Sequence, residues 1–154
     1  MNTVARKVLL FGGGGVLFFT LALFGMFSVQ SPQKLSLPPF SEWTVYSGVT
    51  VKANGDWEIV VDGTDAPYLY QIQSPPIDVE FFQNVYQFSL PIEVMQGKVA
   101  VGVLNEGKET WLNAPKLLSH YSVKTMFNRQ VSVVVANDDP GPSNPSRFTV
   151  RIPR

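Results

Sequence analysis

Hydrophobic and polar positions form two different patterns along the chain. Residues 8–29 are a run of 22 residues without a charged side chain, whereas after residue 40 short alternating runs are separated by turn-forming residues. At about 1.5 Å per residue, a helix of this length spans roughly 33 Å, which is enough to cross a hydrocarbon core of about 30 Å. The first pattern therefore predicts a transmembrane helix over residues 8–29, and the second predicts a β domain.

The β domain is predicted from runs rich in β-branched and aromatic residues, such as "WEIVV", "VAVGVL", "QVSVVVA" and "RFTVRI". Glycine, proline, asparagine and aspartate lie mainly between these runs, where they end strands. Side chains two residues apart lie on the same face of a strand. This spacing predicts inward-facing core positions at Val99, Val101, Val103, Val131, Val133, Val135, Phe148 and Val150. Residues 40–154 are therefore predicted to form one antiparallel β-sandwich.

Charges beside the predicted helix indicate its orientation. Arg6 and Lys7 precede it, and the first charged residue after it is Lys34. The positive-inside rule then places residues 1–7 in the cytoplasm as a short tail. We expect a single-pass protein of the inner or cell membrane, with its C-terminal domain in the periplasm or outside the cell. Residues 30–39, which contain three prolines, are predicted to be an extended linker.

A cleaved signal peptide is the alternative to a membrane anchor. Signal peptides have apolar cores of about 7 to 15 residues and end in small residues at the cleavage site. The apolar run here is longer, and its end, "LFGMFSVQS", has no A-x-A-like pair of small residues. We therefore expect the segment to be retained as a signal anchor.

Consecutive glycines lie inside the predicted span and form a candidate packing surface with nearby aromatic residues. This surface consists of Gly12, Gly13, Gly14 and Gly15, with Phe11, Phe18 and Phe19 beside them. Glycine has no side chain, so a neighbouring helix, a lipid or a flat cofactor can approach the helix axis. A strict GxxxG motif is absent, and a tolerated patch facing lipid is the alternative. The span has no histidine, the usual ligand of membrane haems and antenna chlorophylls, so no cofactor is expected.

The charge balance argues against a nucleic-acid partner. The chain has twelve Lys and Arg and twelve Asp and Glu; without Arg6 and Lys7, residues 30–154 hold ten basic and twelve acidic residues, a net charge of −2. Nucleic-acid-binding surfaces instead have an excess of basic residues. The absence of cysteine excludes disulfides and thiolate chemistry, and it is compatible with an oxidising compartment.

The order of strands and turns from Tyr68 onward resembles a known family. The segment "YLYQIQSPPIDVEFFQNVYQFSLPIEVMQGKVAVGVLNEGKETWL" contains strands around a glycine turn at Gly97, and "QVSVVVAN" and "RFTVRIP" follow it. This order is similar to that of the galactose-binding-like jelly rolls, which occur as carbohydrate-binding modules and as accessory domains of membrane and cell-surface proteins. The resemblance implies a jelly roll. It includes no catalytic signature, and this architecture serves sugar binding, protein contacts and scaffolding alike.

Candidate catalytic and metal-binding residues are few. His120 is the one histidine of the sequence, and a serine next to it in a strand would lie on the opposite face. The domain has no motif of a hydrolase, a zinc site or a phosphate-binding loop. Asp138 with Asp139, and Asp62 with Asp65, could supply oxygen ligands to calcium, but aspartate is also favoured in turns. We expect neither an enzyme nor a tight metal site.

Aromatic side chains are candidates for a sugar-binding surface. Trp57, Tyr70 and Trp111 offer flat faces to a sugar ring, and Asn105 offers hydrogen bonds. A small sandwich also fills its core with such residues, so a Trp111 that points inward is the alternative.

These observations support two functions. The first is a non-enzymatic accessory or structural subunit that braces a larger membrane complex through its helix and its exported sandwich. Its partners would be lipid and integral membrane protein subunits, such as those of photosynthetic or respiratory complexes. The second is a membrane-anchored carbohydrate-binding or envelope-contact module. The glycine-rich span favours the first function, whereas a groove with exposed aromatic residues would favour the second.

Overall fold

The computed structural model describes residues 31–83, 85–108, 110–125, 127–138 and 145–154. Within these ranges the chain forms β-strands and one 3₁₀ turn, Phe40–Glu42, and no α-helix. The described ranges therefore include no helix that could span a bilayer. The predicted span over residues 8–29, with its glycine and phenylalanine packing surface, lies outside the described residues.

The strands that can be followed through the described residues belong to three sheets. In chain order they are β1 (Gln33–Lys34), β2 (Thr44–Val45), β3 (Thr50–Ala53), β4 (Glu58–Asp62), β5 (Tyr70–Gln73), β6 (Ile77–Asp78), β7 (Val85–Ser89), β8 (Ile92–Gln96), β9 (Val99–Leu104), β10 (His120–Lys124), β11 (Gln130–Asn137) and β12 (Arg147–Arg151). The sheets have the orders β1-β7-β10, β2-β5-β11-β6 with β9 also paired to β11, and β3-β4-β12-β8. Among these pairs, β1 with β7 is parallel and the others are antiparallel. The predicted all-β, antiparallel, sandwich-like architecture is confirmed.

One hydrophobic core is shared by the three sheets. It contains Tyr86 and Tyr121 from the first sheet and Ile59 and Val61 from the third, together with valines of β9 and β11. All the core positions predicted from the two-residue spacing belong to this core, and each is at most 3% exposed. They are Val99, Val101, Val103, Val131, Val133, Val135, Phe148 and Val150. Each fully buried side chain of this size contributes about 1.5 kcal/mol or more. The predicted core faces are therefore confirmed.

Strands β9 and β11 are buried on both faces, which the alternating pattern does not predict. Leu104 and Val134, which alternate with the core valines, are also shielded from water. Trp111 accounts for part of this burial, because an added Cβ on Gly102 would lie 2.3 Å from its Cζ3 atom. The segment after β9 therefore covers the second face of this sheet.

The compact domain begins at Pro32, inside the segment predicted to be a linker. β1 is part of that segment and pairs with β7, with Gln33 opposite Tyr86. Leu35 and Leu37 are buried in the shared core. The segment is extended, as its prolines favour, but strand pairing and two apolar side chains hold it on the domain.

Candidate functional site

A groove with a volume of about 750 Å³ opens on the surface of the domain. It is lined by three parts of the chain: residues 32–37, strands β7 and β10, and Trp57 with the C-terminal residues 152–154. The sheet order explains the first two parts, since β7 lies between β1 and β10. The groove therefore depends on the segment that the sequence indicated to be a linker.

Polar side chains of β7 and β10 line part of the groove. In β10, His120 and Ser122 are exposed, and Tyr121 between them is buried. The antiparallel register places Ser89 opposite His120 and Gln87 opposite Ser122. This face of the sheet therefore offers hydrogen-bond donors and acceptors to a ligand.

Ser89 and His120 form a direct contact, with Oγ of the serine 2.6 Å from Nδ1 of the histidine. The serine next to His120 in the sequence is Ser119; Ser89 could not be predicted as its partner, because the residue opposite on a neighbouring strand is set by strand register. A serine–histidine contact is also part of nucleophilic catalytic sites, in which a third group orients the histidine. No aspartate or glutamate is among the described residues that line the groove. The pair therefore offers hydrogen bonding without the carboxylate of a catalytic triad.

Trp57 and Arg154 lie together at the groove. The guanidinium carbon of Arg154 is 5.5 Å from the centroid of the Trp57 ring, a cation–π contact. Trp57 is half-buried against the core, and its carbonyl oxygen accepts a hydrogen bond of 2.9 Å from the Ile152 N–H. The Trp57 ring is therefore an aromatic surface of the groove that the Arg154 guanidinium group covers.

Tyr121 supports the groove from below. Its ring stacks on that of Phe88, with centroids 4.8 Å apart and an angle of 14°. Burial raises the pKa of the Tyr121 phenol above its ordinary value of 10.0, although a hydrogen bond from the Leu118 N–H partly opposes this. Tyr121 therefore stays neutral at ordinary pH, as its position in the core requires.

The groove borders a smaller charged cluster on β4 and β12. Hydrogen bonds from Asn54 and then Arg151 lower the pKa of Glu58. The Asn54 amide nitrogen lies 2.7 Å from the Glu58 carboxylate, and Arg151 forms an ion pair with the same group. Glu58 is therefore ionised at neutral pH, and the positive charge of Arg151 balances its negative charge.

Tyr70 and Trp111, two of the predicted sugar-binding residues, lie together on a different sheet from the groove. Their rings meet edge to face at 5.6 Å, and Tyr46 meets Tyr70 at the same distance. Tyr46 donates a hydrogen bond of 2.5 Å to Gln73, and burial, followed by the nearby Tyr70, raises the Tyr46 pKa. All three aromatic residues are half-buried, so their main contacts are with one another and with the sheet.

Asn105 lies in the turn between β9 and Trp111. Its N–H donates to the Thr110 carbonyl oxygen at 3.0 Å, and its Oδ1 accepts from the Thr110 N–H at 3.2 Å. The structure therefore brings Tyr70 and Trp111 together, places Trp57 in the groove, and uses Asn105 to close a turn.

Of the acidic residues considered as calcium ligands, Asp62 has another partner and Asp139 lies outside the described ranges. Asp62 forms an ion pair with Arg147 at 2.9 Å, across the β4–β12 pair. Asp139 is not among the described residues. In the part of the chain that the structure describes, no three His, Asp or Glu side chains are grouped closely enough to hold a metal ion.

Comparisons with known proteins give no family for this chain. No family model matches it, and no curated protein matches its sequence. A chain of a Glycosylation Associate Protein complex from Streptococcus agalactiae is 10% identical with a TM-score of 0.49; the match covers 76% of this chain and 25% of that one. The CBM22-1 xylan-binding domain of Xyn10C from Paenibacillus barcinonensis is 12% identical with a TM-score of 0.45, over 79% of this chain and 94% of the domain. With TM-scores below 0.5, neither likeness supports a conclusion about function.

Proposed function

We propose that this chain is a non-enzymatic, membrane-anchored module that binds carbohydrate in the groove. The observation that carries this proposal is the combination, in a groove of about 750 Å³, of the Trp57 ring with the hydrogen-bonding side chains of β7 and β10. Ligand sites commonly combine an apolar or aromatic surface with a few polar groups that fix orientation. A sugar ring, which has an apolar face and hydroxyl edges, matches that combination.

The anchor and the fold family are parts of this proposal that rest on the sequence. Residues 8–29 would cross the membrane, residues 1–7 would remain in the cytoplasm, and the domain would be exported. The domain would then be a galactose-binding-like jelly roll that holds envelope carbohydrate close to the membrane. The strand and turn order from Tyr68 onward supports this assignment.

The bound sugar would use both parts of the groove. Its apolar face would stack on the Trp57 ring. Arg154 would have to move first, because its guanidinium group lies over that ring. Its hydroxyl groups would hydrogen-bond to Gln87, Ser122 and the Ser89–His120 pair. This arrangement predicts that Arg154→Ala strengthens the binding of a neutral sugar, since the ring is then already open.

Two tryptophan substitutions test the proposal. The full chain in detergent micelles is titrated with soluble neutral and acidic polysaccharides, and Trp57→Leu should weaken binding roughly tenfold or more, about 1.4 kcal/mol. Trp111→Leu is the matched control, because Trp111 packs on Gly102 away from the groove lining. Far-UV circular dichroism checks that both variants are folded. Equal losses in the two variants, or no binding of any polysaccharide by the unsubstituted chain, would exclude this function.

An accessory subunit of a membrane complex is the second proposal. It is supported by two neighbouring apolar side chains that remain exposed on the domain, Leu117 and Leu118. Exposed apolar surface often marks contacts with a partner. Purification of the full chain from its native membrane in mild detergent should then recover integral membrane subunits in a fixed ratio. Recovery of the chain alone would exclude this second role.

A further inference from the structure

Three phenylalanines form an apolar cluster on the surface of the domain. This phenylalanine triad consists of Phe81, Phe82 and Phe127, which are 38%, 67% and 55% exposed. The Phe81 ring centroid lies 5.0 Å from that of Phe82 and 5.6 Å from that of Phe127. Single exposed apolar residues are common on proteins, but a cluster of large apolar side chains indicates an interaction surface.

Hydrogen bonds hold the two loops of the triad together. The Phe127 N–H donates to the Phe81 carbonyl oxygen at 3.0 Å, and the buried Thr125 hydroxyl donates to the Gln83 carbonyl oxygen at 3.0 Å. Phe127 has a φ of 68°, a left-handed conformation that bulky residues rarely adopt. The fold therefore keeps an unfavourable backbone conformation that presents the Phe127 ring beside Phe81.

The triad lies at the end of the sheet where the chain enters the domain. Because β1 and β7 are parallel, the residues before both strands share one end of the sheet. β10 is antiparallel to β7, with Lys124 opposite Val85, so the loop after β10 is at the same end. This end therefore carries Pro32 as well as the triad. The described residues begin at Ser31, just before Pro32. Residues 8–29, which precede them, are predicted to cross a bilayer.

The charges around the triad have both signs. Arg129 lies 5.6 Å from the Phe81 ring centroid, and Lys124 is exposed at the end of β10. Glu80 precedes Phe81 and is exposed, and Glu106 accepts a hydrogen bond of 3.1 Å from the Arg129 N–H. Since the charges oppose one another, attraction to anionic head groups is weak. Burial of the aromatic rings is the remaining source of affinity.

We infer that the phenylalanine triad inserts into the interfacial layer of a phospholipid bilayer. Phenylalanine is one of the apolar side chains that interfacial protein surfaces bury at the boundary between head groups and acyl chains, and three adjacent rings would orient a domain whose chain is anchored in the same bilayer. The partner is the lipid itself, because Pro32 lies at the same end of the sheet as the triad and is close in sequence to residues 8–29, which are predicted to cross a bilayer. The inference therefore rests on the membrane anchor of the proposed function. This role goes beyond carbohydrate binding and concerns residues outside the groove.

A fluorescent label reports directly on insertion. The chain has no cysteine, so Phe82→Cys provides a unique attachment site for the environment-sensitive dye NBD. The full chain is reconstituted in zwitterionic phosphatidylcholine vesicles, and co-flotation with the vesicles confirms anchoring. We expect a blue shift of NBD emission and quenching by phosphatidylcholine with a doxyl group near the head group.

Leu118→Cys is the matched control, because Leu118 is also apolar and exposed but precedes β10 at the opposite end of the strand. Its label should show water-like emission without lipid quenching. Equal signals at both positions, or no quenching at position 82 in a chain that co-floats, would overturn the inference. Failure of the chain to co-float would also overturn it. Shielding of position 82 in native membranes but not in pure lipid vesicles would overturn it as well, because it would indicate a protein partner. A label at Phe127→Cys repeats the test from the second loop.

Discussion

At the scale of single residues, Gly102 and Trp111 depend on each other. A Cβ added at Gly102 would lie 2.3 Å from Trp111 Cζ3, so the indole ring must move. We expect Gly102→Ala to lower the free energy of unfolding by about 1–3 kcal/mol, as measured by urea denaturation. In a Trp111→Leu background the same substitution should cost less, because the ring that it meets is gone. Equal costs in the two backgrounds would contradict this packing role.

Tyr121 gives the domain a sensitivity to high pH. Its folded-state pKa is raised above 10.0 because burial disfavours the phenolate. The corresponding stability is complete below pH 10 and is lost as pH rises through the folded-state pKa. The urea concentration at the midpoint of unfolding should therefore decrease as pH rises above about 10. Tyr121→Phe should make this decrease smaller. Tyr68→Phe, at an exposed tyrosine, should leave the slope unchanged; an equal effect of both variants would argue against burial as the cause.

At the scale of elements, β1 makes the proline-rich segment part of the domain. Leu35 is 3% exposed, whereas the adjacent Ser36 is exposed to solvent. Leu35→Ala should therefore lower the free energy of unfolding by about 2–4 kcal/mol, the range for a truncated core leucine. Ser36→Ala should change it by less than about 0.5 kcal/mol. Thermal or urea unfolding of both variants measures the contrast, and two equally small effects would mean that the segment only tethers the domain.

At the scale of the whole molecule, the proposed membrane anchor and the proposed exported domain would be separate attachments to a partner complex. If the glycines of the span pack against a neighbouring helix, Gly13→Leu should leave membrane insertion intact, because leucine inserts more readily than glycine. It should nevertheless release the chain from co-purifying subunits in the same detergent. Recovery of those subunits at the unsubstituted yield would leave Gly12–Gly15 as a tolerated patch facing lipid.

Local sequence patterns were sufficient to predict the β character of the domain and the inward faces of its central strands. Val101, Val133 and Val150 could be predicted as core residues because the alternation of side chains along a strand is a local property of the backbone. The same local reasoning supports the predicted span, since the absence of charge over residues 8–29 can be counted directly. The aromatic residues were recognised as candidates, although local pattern does not distinguish a ring in a groove from a ring packed on a sheet.

The pairing of the strands, in contrast, is a property of the tertiary structure, and the candidate sites depend on that pairing. A period of two indicates which face of a strand is buried, but it does not specify the strand's partner or register. The pairing of β7 with β10 places Ser89 beside His120, and the parallel addition of β1 completes the groove. The phenylalanine triad likewise comes from two loops that are distant in sequence and joined by hydrogen bonds. These contacts form because many strands bury their apolar faces in one core at once, a condition that no short stretch of sequence contains.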